Sequence, residues 1–269
     1  MASTIKKAVL AASIALISFN AKATLTSYNS DGVDLVYSSV SNVTWTKDGN
    51  LLGSMFAIQG FNNVVNAIIT ASPTITNMPN VYSPSGNYNL SESDFSSDGS
   101  TTWFGAMGYI KYLNSISFGG ISSWYLPTVV TTDAGYNPGT NGSAKGDEFA
   151  ELFYGELSGT AGSAIPNTIT FDNEQNLSYW SSTEATGFDS AWNFYSLDGF
   201  NDYDSKGLTF YAWAVTSGQI STVPEPDNLA IFLAGLGMVL LAVHVSKKVN
   251  RCHKTKGLDN PPSYNNLNV

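Results

Sequence analysis

The chain has 269 residues, 43% hydrophobic and 12% charged, with a formal net charge of −9. Across 24–222 four Lys and no Arg face 18 Asp and Glu, a balance of −14 that repels phosphate backbones and argues against nucleic acid as a partner. That stretch also lacks His and Cys, which excludes disulfides, ordinary zinc sites and His-dependent nucleophilic catalysis within it.

In chain order, Lys6 and Lys7 precede a mostly apolar run from Ala8 to Phe19 and an Ala21-Lys22-Ala23 ending. This pattern predicts a signal peptide over 1–23, cut after Ala23. No Cys follows the cut, so no lipoprotein attachment is expected. The remainder to 222 suits one exported domain with a real core. Asp34–Ser38 and Asn42–Thr46 read as strands rich in β-branched and aromatic residues. Phe61–Thr70 carries apolar residues at helical spacing, and Trp103–Leu113 does so again. Between them, 71–100 is rich in Ser, Asn, Pro and Gly and reads as a long surface insertion; 131–146 reads as a second. Asp147–Phe153 is expected to be a short helix with acid in its first turn and Phe149, Leu152 and Phe153 inside. Leu177–Thr183, Ala191–Leu197 and Gly207–Val215 read as strands, with Asp198-Gly199 as a turn. On the second of these, Trp192 and Phe194 would face one way, Asn193 and Tyr195 the other. Strands, then helices, then a run of antiparallel strands give the fold class α+β.

The C-terminal part has a different character. Val223-Pro224-Glu225-Pro226 leads into an uncharged run of 17 residues, Leu229–Val245, followed by Lys247, Lys248, Arg251, Lys254 and Lys256. As a helix the run would be about 25 Å long, slightly short of a ~30 Å hydrocarbon core. Lysine stems can extend it, and the one-sided basic cluster places the tail in the cytoplasm. This arrangement, 223–256, resembles the PEP-CTERM sorting signal. The resemblance implies a Gram-negative bacterium that makes extracellular polysaccharide. It also implies an exosortase that processes the chain near Val223, Pro224, Glu225 and Pro226. The expected partners are that exosortase, the secretion machinery and the inner membrane through 229–245. The domain would be anchored outside the cytoplasm and then released to the cell surface or medium. A single-span anchor that is never cut is the competing reading. Residues 257–269 read as a disordered polar tail.

Within the domain, Asn42–Asn50, Trp124-Tyr-Leu-Pro-Thr128, Glu148-Phe149 with Leu152-Phe153, Tyr179-Trp-Ser-Ser-Thr-Glu184, Ala191-Trp192, Gly199, Lys206 and Ala212-Trp-Ala-Val215 resemble the Lcl C-terminal domain family. That family implies a single bacterial extracellular domain similar to the C-type-lectin-like and sulfatase-modifying-factor folds. Family members commonly carry Arg where Tyr125, Ala212 and Ala214 stand here, so any binding of anionic ligands through those arginines is lost. The sulfatase-modifying enzymes use cysteine, so their activity does not carry over.

All six Trp lie in the exported domain; most should be core, with one or two on a ligand surface. Trp180, Glu184, Trp192 and Asn193 are the candidate ligand-binding residues. Asp198, Asn201, Asp202 and Asp204 fall within seven residues and are candidate calcium ligands, calcium being the one cofactor the composition admits. No catalytic residue is assigned. The reading is a non-catalytic surface or matrix protein binding glycan or protein, with extracellular polysaccharide as a partner. The alternative is a carboxylate-based enzyme acting on such a polysaccharide, with Glu184 as one of its carboxylates.

Overall fold

Two hairpin turns organise the first sheet. The computed structural model describes residues 25–130, 132–139 and 147–220. Leu25–Ser30 (β1) and Val33–Ser38 (β2) are joined by Asp31 and Gly32, both at positive φ, the tight two-residue turn that Asp-Gly favours. Val43–Thr46 (β3) pairs with β2, and both strands fall where β-branched and aromatic residues place them. A short late strand, Val215–Ser217, closes the sheet on the other side of β3, with Val215 opposite Trp45.

Helices Leu51–Gln59 (α1) and Phe61–Ala71 (α2) follow, separated by Gly60 at φ 88°. Asn50 caps α1 by accepting from the Gly53 amide. Val64, Val65 and Ile68 are the buried side of α2, as their spacing predicts. Trp103–Ser115 (α3) is capped by Thr102 and buries Trp103, Phe104, Tyr109, Ile110 and Leu113.

The stretch 71–100 corrects an expectation. It is no mere surface insertion: Thr74–Thr76 (β4) and Asn87–Asn89 (β5) pair, and Ile75, Leu90 and Phe95 enter the core. Several of its polar residues are bonded internally. The buried Asp94 carboxylate accepts from the Ser91 amide, the Tyr88 hydroxyl and the Thr102 hydroxyl.

Gly135–Tyr136 (β6), Ser178–Glu184 (β7), Ser190–Tyr195 (β8) and Phe200–Ser205 (β9) form the second sheet, antiparallel in the order β6-β9-β8-β7. The strand Val215–Ser217 is therefore β10. Helix Glu148–Ala150 (α4) runs on into a π-helical stretch, Glu151–Glu156, and presents Phe149, Leu152 and Phe153 inward as expected. Helices with antiparallel sheets make the fold α+β.

Gly207–Val215 is also corrected. It does not continue the β7–β9 sheet as one strand. After β9 the chain turns at Lys206, is exposed over 207–209, and enters the interior from Phe210, pairing in single bridges with Thr101, Tyr179 and Tyr125. Two cores result. One surrounds the helices; the other is aromatic, where Trp45, Phe149, Tyr179 and Trp213 meet with ring centroids 5.2 to 6.2 Å apart. Among the described residues no helix is long and apolar enough to cross a membrane. The segments 1–23, 223–226, 229–245 and 257–269 lie outside the described residues.

The β8–β9 turn supplies a test. Gly199 sits at φ 84°, and a Cβ there would lie 2.6 Å from the Tyr154 hydroxyl oxygen, which donates to the Gly199 carbonyl. Gly199→Ala should cost about 2 kcal/mol from left-handed backbone strain and lower the melting temperature measurably.

Candidate functional site

Strand pleating on the second sheet decides which side chains can meet a ligand. On β8, Asn193 and Tyr195 turn to the outer face, while Phe194 enters the aromatic core and Trp192 packs with Val129 and Ala185. On β9, Phe200, Asp202 and Asp204 take that same outer face. With Asp198 of the turn, Ser178 of β7 and Tyr136 of β6 they line an open groove of about 400 Å³.

The groove is ordered by its own hydrogen bonds. Asp198 accepts from the Phe200 amide at 3.0 Å and from the Tyr136 hydroxyl at 3.4 Å. Asn193 Nδ2 donates to Asp204 Oδ2 at 3.1 Å, while Asn193 Oδ1 is buried without a hydrogen-bond partner. Burial raises the Asp204 carboxyl pKa, the Asn193 bond opposes that rise, and nearby Asp202 adds to it. Tyr136 stands over Phe200 in a T-shaped contact at 5.0 Å, so aromatic rings flank the acids.

The four expected ligand residues are dispersed. Trp180 is fully buried, donates its indole N–H to the Thr101 carbonyl and lies against Phe210. Trp192 is buried against Tyr203. All six Trp are in fact buried, so none offers an open stacking face; a ring of that area is worth more in the core. Glu184 is held in place: it accepts from Lys206 Nζ at 2.6 Å and from the Met78 amide at 3.2 Å. That Lys206 is wholly buried, its ammonium 4.6 Å from the Trp103 ring centroid. A carboxylate so engaged is poorly placed as the reactive group of a hydrolase. Only Asn193 lies in the groove.

The calcium quartet is likewise split. It assumes a loop, but 200–205 is strand, and the pleat sends Asn201 inward to donate to Asp147 at 2.7 Å. Among the described residues no group of three or more His, Cys, Asp or Glu is arranged to hold a metal ion. Tyr136, Tyr195 and Phe200 are groove residues that sequence reasoning does not single out. Tyr136 sits in a Gly- and Asn-rich stretch that carries no strand pattern.

Fold and groove together define an α+β domain with an open, acidic, ring-flanked groove. The model of the Lcl C-terminal domain family matches residues 34–216, from the second residue of β2 into β10, and the chain belongs to that family. No curated protein and no solved structure matches it.

The buried ion pair predicts an asymmetry. Glu184→Gln strands a buried ammonium and should cost about 3 kcal/mol in urea unfolding. Lys206→Met should cost less, because Glu184 retains some contact with water. A pH effect follows from Asp147, which burial pushes to about 7, against hydrogen bonds from Ala150 and Asn201 and with help from Glu148 and Glu151. Burial pushes Glu156 to about 7 as well. These folded values exceed the unfolded ones, so the stability they confer is complete below about pH 4 and is lost as pH rises through about 7. The melting temperature should be higher at pH 5 than at pH 8, and Asp147→Asn, which keeps a capping side chain, should flatten that difference.

Proposed function

We propose that this protein is an exported, non-catalytic binding module that holds an extracellular glycan in the groove of its second sheet. The observation that carries the reading is the groove itself. It combines ring faces from Tyr136, Tyr195 and Phe200 with Asn193, Asp202 and Asp204 on one open face. Aromatic rings cover the C–H faces of a sugar, while carboxylates and amides bond its hydroxyls.

The sequence motifs support a C-type-lectin-like fold. Export rests on the pattern of 1–23. Retention at the inner membrane through 229–245, and exosortase processing at Val223–Pro226, rest on the resemblance of 223–256 to the PEP-CTERM signal. On this reading the domain works outside the cytoplasm, at the cell surface or in the matrix of extracellular polysaccharide.

A glycan array probed with the full chain in a mild non-ionic detergent tests this. Defined oligosaccharides should be retained, and Tyr136→Ala should weaken them about fivefold, while reducing-sugar release stays at background. An array that retains nothing overturns the reading, as does sugar release that disappears in Glu184→Gln.

A further inference from the structure

We propose that the groove selects a positively charged amino sugar, a hexosamine oligomer whose amines carry no acetyl group; this deepens, and rests on, the glycan-binding reading above. The argument begins with what the lining can offer. Asp198, Asp202 and Asp204 supply carboxylate oxygens. Of the side-chain donors in the lining, Tyr136 is engaged with Asp198 and Asn193 Nδ2 with Asp204, and the hydroxyls of Ser178 and Tyr195 can each accept as well as donate. Asn193, only 1% exposed, adds a further acceptor, since its Oδ1 has no hydrogen-bond partner. A buried amide oxygen left unpaired costs free energy that a donor from a ligand would recover. With three carboxylates and this amide oxygen, the groove therefore accepts more than it donates.

A sugar hydroxyl is both donor and acceptor, and its acceptor side gains nothing from carboxylates. An ammonium has three donors and no acceptor, and it carries the charge these acids lack. Bonds between ionised partners are also the stronger kind. The rings suit the same ligand, since a cation near an aromatic face is attracted to it.

The charge of the protein points the same way. Lys47 pairs with Asp172 at 2.8 Å and Lys206 with Glu184 at 2.6 Å, so neither lends the groove a positive field. None of the described groove-lining residues is cationic. An anionic polysaccharide would meet the −14 balance of 24–222, whereas a polyamine chain would be drawn to it.

The test is calorimetric titration of the full chain, in non-ionic detergent at pH 6, with three tetrasaccharides: glucosamine, N-acetylglucosamine and glucose oligomers of the same linkage. The glucosamine oligomer should bind at least about tenfold tighter than the other two, and added salt should weaken it. Asp202→Asn should reduce its affinity about tenfold while leaving the melting temperature in place, because the one hydrogen bond given to that side chain comes from the Tyr203 amide and an amide oxygen can accept it. Asp204→Asn provides an independent second variant. Equal binding of all three oligomers would overturn the amino-sugar preference and leave the glycan reading standing. Binding of none at millimolar concentration would overturn both. Tight glucosamine binding unchanged in both variants would place the site elsewhere and overturn the proposal.

Discussion

Six residues near the end of the domain, Phe210 to Val215, hold the rest of it in register. Phe210 exchanges two backbone bonds with Thr101, at 2.8 and 3.0 Å, just ahead of α3. Tyr211 accepts from the Trp180 amide and donates to the Ser178 carbonyl on β7. Ala214 accepts from Thr46 on β3, and Val215 exchanges two bonds with Tyr125. The Trp213 indole N–H reaches the Thr46 carbonyl at 2.8 Å, and its ring fills the centre of the aromatic core. One extended segment thus satisfies backbone groups from four distant parts of the chain. A buried backbone needs such partners.

That constraint explains what was legible in the sequence. Elements whose partners are local, such as β2 with β3, or whose period is their own, such as α2 and α3, follow from spacing and residue type. The closing segment has strand composition, yet its partners lie from 31 positions away, Trp180 on Tyr211, to 168 away, Thr46 on Ala214, separations that no local pattern encodes. The same limit hides the role of 71–100. Its few apolar residues, Ile75, Leu90 and Phe95, look too sparse for a core until the helices they pack on are in place.

The candidate site was legible only in part. Alternation on β8 correctly pairs Asn193 with Tyr195 on one face. The acidic run 198–204 was visible as a cluster, but whether it is loop or strand decides which of its side chains converge, and the strand turns Asn201 toward Asp147. Tryptophan counts gave no guide to exposure. Five are consumed by the two cores and Trp192 by its own small cluster with Val129 and Ala185, leaving smaller rings at the surface. Charge was the most durable signal: Lys206 is sealed inside against Glu184, Lys47 is paired with Asp172, and the described lining of the groove carries acids and no cation.

The strand margins of the two four-stranded sheets have a bearing on self-association. Unpaired margins recruit strands from neighbouring chains. Here β6 is only two residues long, and β7 is covered by Tyr211 and by the Pro127 carbonyl, which accepts from the Ser182 amide. In the first sheet Tyr125 occupies the far side of Val215. Among the described residues this leaves β1, six residues paired on one side, as the long margin at which two copies could zip together. At three of the four margins of its two four-stranded sheets the described chain is thereby guarded against sheet-to-sheet polymerisation.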